Sequence, residues 1–260
     1  MVQKRLSPNV TLQNNIEMYD DYYQKPNWWF RFRYDTQVKR KTCLYLLHVA
    51  GRKLSDQRVL EIGFGSGVVL FSFRKDCEIY GLEISTSAIE QAKKQAHDIG
   101  YKKFEFQSIS GDLLPYPDDF FDVLVASHVI EHVQNDELML SEIARVLKPD
   151  GVAVVLIPIN ENYEDPHHLH RYSSVGFSEL ASSRGLRMSV KLENELLFHL
   201  VEKFYFEGYN RRWKYFGAVV AALFNFPTSI LPFWVYRFIE RGMMVMGWKP
   251  RQLGCVFTKI

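Results

Sequence analysis

Apolar and polar positions along the chain change period several times, and the changes divide it. Residues 36–49 place Val38, Leu44 and Leu47 at helical spacing and end near Gly51, which predicts a helix. The wider stretch 14–50 reads as helical, interrupted at Pro26, and carries the aromatic cluster Tyr19, Tyr22, Tyr23, Trp28, Trp29, Phe30, Phe32 and Tyr34. Short apolar runs follow at 58–62, 78–82, 104–109, 122–126 and 152–157, each reading as a strand. Helical patterns fill intervals at 68–75, 85–98 and 136–147, with Gly100 stopping the second and Pro149 following the third. Strands alternating with helices in this way predict βαβ units and a parallel sheet buried on both faces. After Pro158 the rhythm loosens. Residues 174–183 read as a helix, 187–192 as a strand and 255–259 as a closing strand, with a long aromatic, apolar stretch at 196–248.

The 260 residues suit one large α/β domain, or one domain with an appendage. An apolar share of 47% with 24% charged residues excludes intrinsic disorder. The three cysteines, Cys43, Cys77 and Cys255, are odd in number and far apart, so neither a disulfide framework nor a cysteine zinc site is expected. Residues 1–15 are polar, so no signal peptide is expected; a reducing, cytoplasmic setting is. The net charge of +2 hides an asymmetry: residues 1–53 hold ten basic and four acidic side chains, 54–151 nine and seventeen, and 184–260 twelve and five. Basic ends suit anionic surroundings, and solvated surface lysines account for them equally.

The strand at 58–62 runs into Gly63-Phe64-Gly65-Ser66-Gly67. Glycines in such a loop permit a tight turn and close backbone approach to a ligand. The spacing G-x-G-x-G departs from the dinucleotide fingerprint G-x-G-x-x-G, and Glu61 stands beside it. A carboxylate there repels a pyrophosphate and suits an amino group or a sulfonium. Glu83 ends the second strand about twenty residues on, the position that hydrogen-bonds a ribose diol.

Together with Gly81-Leu82-Glu83-Ile84-Ser85, Gly111-Asp112-Leu113-Leu114-Pro115, Phe120-Phe121-Asp122-Val123, Val129-Ile130-Glu131-His132-Val133 and Ala144-Arg145-Val146-Leu147-Lys148-Pro149, this loop resembles the class I S-adenosylmethionine-dependent methyltransferases of the methyltransferase type 11 group. The resemblance covers about residues 54–158, in matching order. It implies a Rossmann-like, seven-stranded, mostly parallel sheet with the last strand antiparallel, an N-terminal helical cap, and a helical insertion before the last strand. The cap would be 1–53, the cofactor-binding core 54–194, the aromatic lid or insertion 195–249 and the closing strand 250–260. It also implies S-adenosyl-L-methionine as cosubstrate. Gly63, Phe64, Gly65 and Gly67 would pass under its methionine part, with Glu61 near the amino group. Glu83, with Ile84 beside it, would hold the ribose, and Asp112 with the Leu113 N–H would read the adenine edge. Ser127 and His128 would border the reacting methyl.

His128, Glu131 and His132 stand at i, i+3 and i+4 and would share one face of a helix. His167, His168 and His170 follow the fifth strand, at the lip where such sheets bind ligands. His128, His132 and His168 are the catalytic candidates, a histidine being the natural general base near neutral pH. His167 and His170 read as surface or supporting residues. Ubiquinone-biosynthesis O-methyltransferases have a similar stretch with an acid at the place of His128, and a divalent cation has been implicated there. With that ligand set altered and no cysteine ligands, no tight metal is expected here.

Residues 215–236 contain no charge, yet Pro227 and Pro232 break them, so two short helices fit better than one span. Arg211, Arg212, Lys214, Arg237 and Arg241 bracket the stretch, with Trp213, Trp234, Tyr236 and Trp248 at its edges. It reads either as a lid over an acceptor pocket, as a homodimer contact, or as an element at a membrane surface through 211–241, at the inner face. The expected activity is O-methylation of a small or amphipathic, even lipid-linked, acceptor. N- or C-methylation of a small natural product, and a non-catalytic cofactor-binding subunit, stay open. The absence of an Asn/Asp-Pro-Pro-Tyr motif speaks against nucleic acid as acceptor.

Overall fold

The computed structural model describes residues 16, 17, 19–21, 23, 24, 33–109, 111–161, 167–200, 223–225 and 227–260. Residues 16, 17, 19–21, 23 and 24 are helical, and helix α1 (Tyr34–Val49) follows, burying Val38, Cys43, Leu46 and Leu47. There follow β1 (Arg58–Ile62), β2 (Glu78–Glu83), α2 (Thr86–Ile99), β3 (Lys103–Ser108), β4 (Phe121–Ser127), α3 (Asp136–Val146), β5 (Leu147–Pro158), α4 (Ser174–Ser183), β6 (Leu186–Asn194), α5 (Phe233–Val245) and β7 (Gln252–Lys259). The local signals explain the helix ends. The Ser85 hydroxyl accepts the Ala88 N–H at 3.1 Å to start α2, and Gly100, at φ +91°, ends it in the left-handed region. Asn135 and Ser173 cap α3 and α4 in the same way.

The seven strands form one sheet in the order β3-β2-β1-β4-β5-β7-β6. β1 to β5 pair in parallel, and β7 runs antiparallel between β5 and β6. Alternate residues feed opposite faces: Leu60, Leu124, Ala153 and Phe257 join one core with α3 and α4, whereas Val59, Val123, Val152 and Val256 join the other with α1 and α2. A third, small cluster of Tyr34, Val38, Leu196, Leu197, Tyr236 and Met243 ties α1 to α5.

Several expectations move. The helix expected at 68–75 does not form; the chain makes only a 3-10 turn at Leu70–Ser72. Val68, Val69, Phe71 and Phe73 are poor helix formers, and the Ser72 hydroxyl bonds back to the Val68 carbonyl at 2.8 Å, which competes with a regular helix. Helix α3 stops one residue early because Leu147 pairs with Phe121 and opens β5. β7 begins three residues earlier than its apolar run, since Gln252 pairs with both Pro158 and Asn194. In the aromatic stretch, α5 starts directly after Pro232, which sets its N-terminal boundary. Residues 201–222, with Arg211, Arg212, Trp213 and Lys214, lie outside the described residues, as do Trp28 to Phe32. Among the described residues no helix is long and apolar enough to cross a membrane.

Candidate active site

A cavity of about 400 Å³ opens beyond the carboxyl ends of β1, β2 and β4. β1 has β2 on one side and β4 on the other, so this is where the strand order reverses and open α/β sheets bind ligands. Ten of the residues singled out above lie on its wall: Glu61, Gly63, Phe64, Gly65, Glu83, Ile84, Asp112, Ser127, His128 and His132. Gly67, Leu113 and His168 do not.

The loop after β1 is left-handed at Gly63 (φ +65°) and Gly65 (φ +49°). A Cβ at Gly63 would run into the Val129 side chain, and one at Gly65 into the Tyr23 hydroxyl. Both positions therefore need glycine for conformation and for space.

Glu61 is buried, and its Oε2 accepts the Leu70 N–H at 2.8 Å. Burial pushes its carboxyl up to about 8, the Leu70 hydrogen bond pulls against this, and the charge of Glu83 adds to it. Glu83 organises the loop: its Oε2 accepts the Gly65 N–H at 2.8 Å, and its Oε1 accepts those of Ile84 and Ser85 at 2.8 and 3.3 Å. Burial raises its pKa, and those three N–H bonds oppose the rise. Asp112 accepts the Asn135 N–H at 3.1 Å, which ties it to the start of α3; burial raises it too. At the end of β4, Ser127 Oγ is buried with no hydrogen-bond partner.

His128 and His132 reach the cavity without sharing an α-helix. His128 is left-handed at φ +55°, and Ile130–His132 form a 3-10 turn. His128 Nε2 shares a 2.9 Å hydrogen bond with Gln252 Oε1, and Gln252 bonds Asn194, which in turn bonds Thr42. On its other side His128 Nδ1 lies 3.3 Å from Glu131 Oε1. Burial works to raise the Glu131 carboxyl, but the facing His128 and then His132 outweigh it and hold it below its ordinary value. For His132, burial lowers the pKa more than Glu131 raises it, leaving it below its ordinary value. His168 stands behind His132, ring centroids 4.9 Å apart.

Three further features of the wall, and one residue that anchors it, escaped the sequence reading. Asp35, Thr36 and Lys39 reach it from α1 on one helical face. Tyr19 and Tyr23 reach it from the N-terminal segment, where the aromatic cluster was the available signal. Asp20 anchors that segment by accepting the Ser85 hydroxyl at 2.7 Å and the Ser87 N–H at 3.1 Å at the start of α2, and these bonds lower its pKa, Ser85 first. Leu169 lines the cavity because its N–H, with that of His170, bonds the Glu131 carbonyl.

Comparison with known proteins agrees with this geometry. A family model described as a methyltransferase domain matches residues 60–155, which supports a class I S-adenosylmethionine-dependent methyltransferase. An uncharacterized methyltransferase of Bacillus subtilis is 33% identical over 98 residues, 37% of this chain and 39% of that protein. A ubiquinone biosynthesis O-methyltransferase of Bradyrhizobium is 33% identical over 112 residues, 43% of each. The chain thus spans less than half the length of either relative. Among solved structures, one from Galdieria sulphuraria described as a sarcosine dimethylglycine methyltransferase superposes with a TM-score of 0.60 at 18% identity, covering 85% of both chains. That likeness establishes the Rossmann-like fold, which by itself leaves the acceptor unassigned.

Proposed function

We propose that the protein transfers a methyl group from S-adenosylmethionine to an oxygen of a small or amphipathic acceptor. One observation carries the reading: Glu61, Glu83 and Asp112 surround a single cavity at the strand-order switch, with a left-handed glycine loop between the first two. The residues fit the cosubstrate. Glu61 is a buried carboxylate suited to an ammonium group, Ser127 Oγ is a buried polar atom with no partner, and the side-chain-free loop leaves a cradle. Glu61 would hold the amino group, Glu83 the ribose hydroxyls and Asp112 the adenine edge. When bound, the cosubstrate supplies a methyl already activated on a sulfonium, so the protein's task is alignment and exclusion of water.

Ser127 and His128, at the end of β4, border the place of transfer, and α1 supplies the facing wall through Asp35, Thr36 and Lys39. A hydroxyl acceptor would lose its proton to His128, which directly follows Ser127; its Nε2 is held by Gln252, so Nδ1, facing Glu131, is the nitrogen left to take the proton. The amphipathic character of the acceptor is supported by α5, where Trp234 and Phe238 are 72% and 75% exposed on one helical face beside the basic Arg241. Such a face suits contact with a membrane surface from which an amphipathic acceptor is collected.

Calorimetry with S-adenosylhomocysteine tests the core of the reading. Binding is expected, with NADH failing to compete; equal competition by NADH overturns it. Transfer of labelled methyl to oxygen in a lipid extract or a panel of small hydroxylated acceptors tests the rest, and label found only on nitrogen or carbon removes the oxygen assignment.

A further inference from the structure

Glu131 is fully buried, and neither carboxylate oxygen accepts a hydrogen bond. A buried acid costs several kcal/mol unless positive charge faces it; His128 Nδ1, 3.3 Å from Oε1, meets part of this demand, and Oε2 is left without a partner. His132 and His168 converge on it: one ligand atom from each of the three side chains lies within 4.8 Å of the others. Among the described residues no other three such side chains converge. His132 Nδ1 donates to the His167 carbonyl at 2.9 Å, because a carbonyl can only accept. That leaves Nε2, 4.0 Å from Glu131 Oε1, as the ring nitrogen that faces the acid. His168 Nδ1 lies 2.6 Å from Glu161 Oε1, a carboxylate backing a ring in the manner of outer partners at metal sites. The loop that brings His168 is stitched in place by the Leu169 and His170 N–H groups on the Glu131 carbonyl, at 2.8 and 3.2 Å.

From this convergence we propose that Glu131, His132 and His168 bind one divalent transition-metal cation at the edge of the cavity. Two imidazoles and one carboxylate suit zinc, cobalt or iron(II) rather than magnesium or calcium, which take oxygen ligands. Three protein ligands leave coordination positions open, as substrate-facing sites require. His132 lines the cavity, so an open position faces the acceptor. Resting on the methyltransferase reading, the inference adds that the acceptor offers an oxygen donor to the cation. His128 stays outside the ligand set, fastened to Gln252. From the sequence no tight metal is expected, since cysteine ligands are lacking and His128, Glu131 and His132 read as neighbours on a helix. The ligand that completes the set comes instead from 36 positions beyond His132 (168 − 132).

The test uses the full chain stripped with chelator. Titration with cobalt(II) should give visible d–d absorption that saturates at one equivalent, and zinc should displace it. His132→Ala and His168→Ala should each weaken binding at least 10-fold, and Glu161→Gln by roughly 10-fold as an outer partner. His170→Ala should leave it unchanged, because His170 bonds Val133 and Asp136 outside the triad. Glu131→Gln serves as a shape-conserving variant, and circular dichroism reports whether each variant folds. No saturable cobalt binding by the wild type, or equal weakening by His170→Ala, overturns the site. S-adenosylhomocysteine binding measured alongside separates the two readings. Its retention with no metal bound sinks the cation alone, and its loss in the wild type sinks the methyltransferase reading.

Discussion

With Glu61 beside the amino group, as proposed, cofactor binding should release a proton, and the size of the effect follows from the burial of Glu61. Its carboxyl titrates near 8 because it is enclosed at the end of β1 with a single N–H, that of Leu70, to favour the charged form. Below that pH the empty site holds a neutral acid. An ammonium group placed beside it favours the carboxylate, so binding expels the proton. Affinity should then rise about tenfold per pH unit below 8 and level off above it, roughly 50-fold between pH 6 and pH 8. The perturbation is Glu61→Gln. Its side-chain oxygen still accepts the Leu70 N–H, so the loop keeps its shape, but the site no longer titrates. The assay is calorimetry with S-adenosylhomocysteine at pH 6.5 in two buffers of different ionisation enthalpy. Wild type should release close to one proton and the variant none. At pH 8.5 the variant should bind more weakly by about 1.5–3 kcal/mol, the value of a hydrogen bond to a charged group. Equal proton release in both proteins, or a flat wild-type affinity between pH 6 and pH 8, refutes the placement of Glu61 beside the amino group.

Glu83→Gln should cost more than ligand contacts, because the new amide NH₂ would meet the Gly65, Ile84 or Ser85 N–H; cofactor affinity should fall at least tenfold and denaturant unfolding should show a loss of about 1–3 kcal/mol. Gly254→Ala places a methyl 2.9 Å from Leu46 Cδ1 and 3.0 Å from Leu156 Cδ2, where α1 lies on β7; thermal unfolding should register a destabilisation of about 1–3 kcal/mol. Trp234→Gln with Phe238→Gln should reduce sedimentation with anionic liposomes while S-adenosylhomocysteine affinity stays constant, and salt should weaken the wild-type interaction. Undiminished sedimentation of that double variant removes α5 from the membrane contact.

The sequence by itself determined what local chemistry controls. Continuous apolar runs and helical-period patterns marked nearly every strand and helix, Ser85 and Gly100 marked the ends of α2, and three glycines marked the loop. Glu61 and Glu83 were picked out by their places at the ends of β1 and β2, and Asp112 by the family resemblance; the sheet brings all three to one cavity. Propensity argues against the helix expected at 68–75, where β-branched and aromatic residues follow a loop whose backbone is bound by Glu83 and Glu61. Tertiary structure alone decided which distant side chains meet. Gln252 reaches His128 because β7 inserts beside β5, and Asp35 and Lys39 reach the cavity because α1 packs across β5 and β7. His168 reaches Glu131 because the loop after β5 folds back and bonds to the Glu131 carbonyl. None of these meetings has a local signature, since each depends on where the sheet order and the loop after β5 bring the backbone.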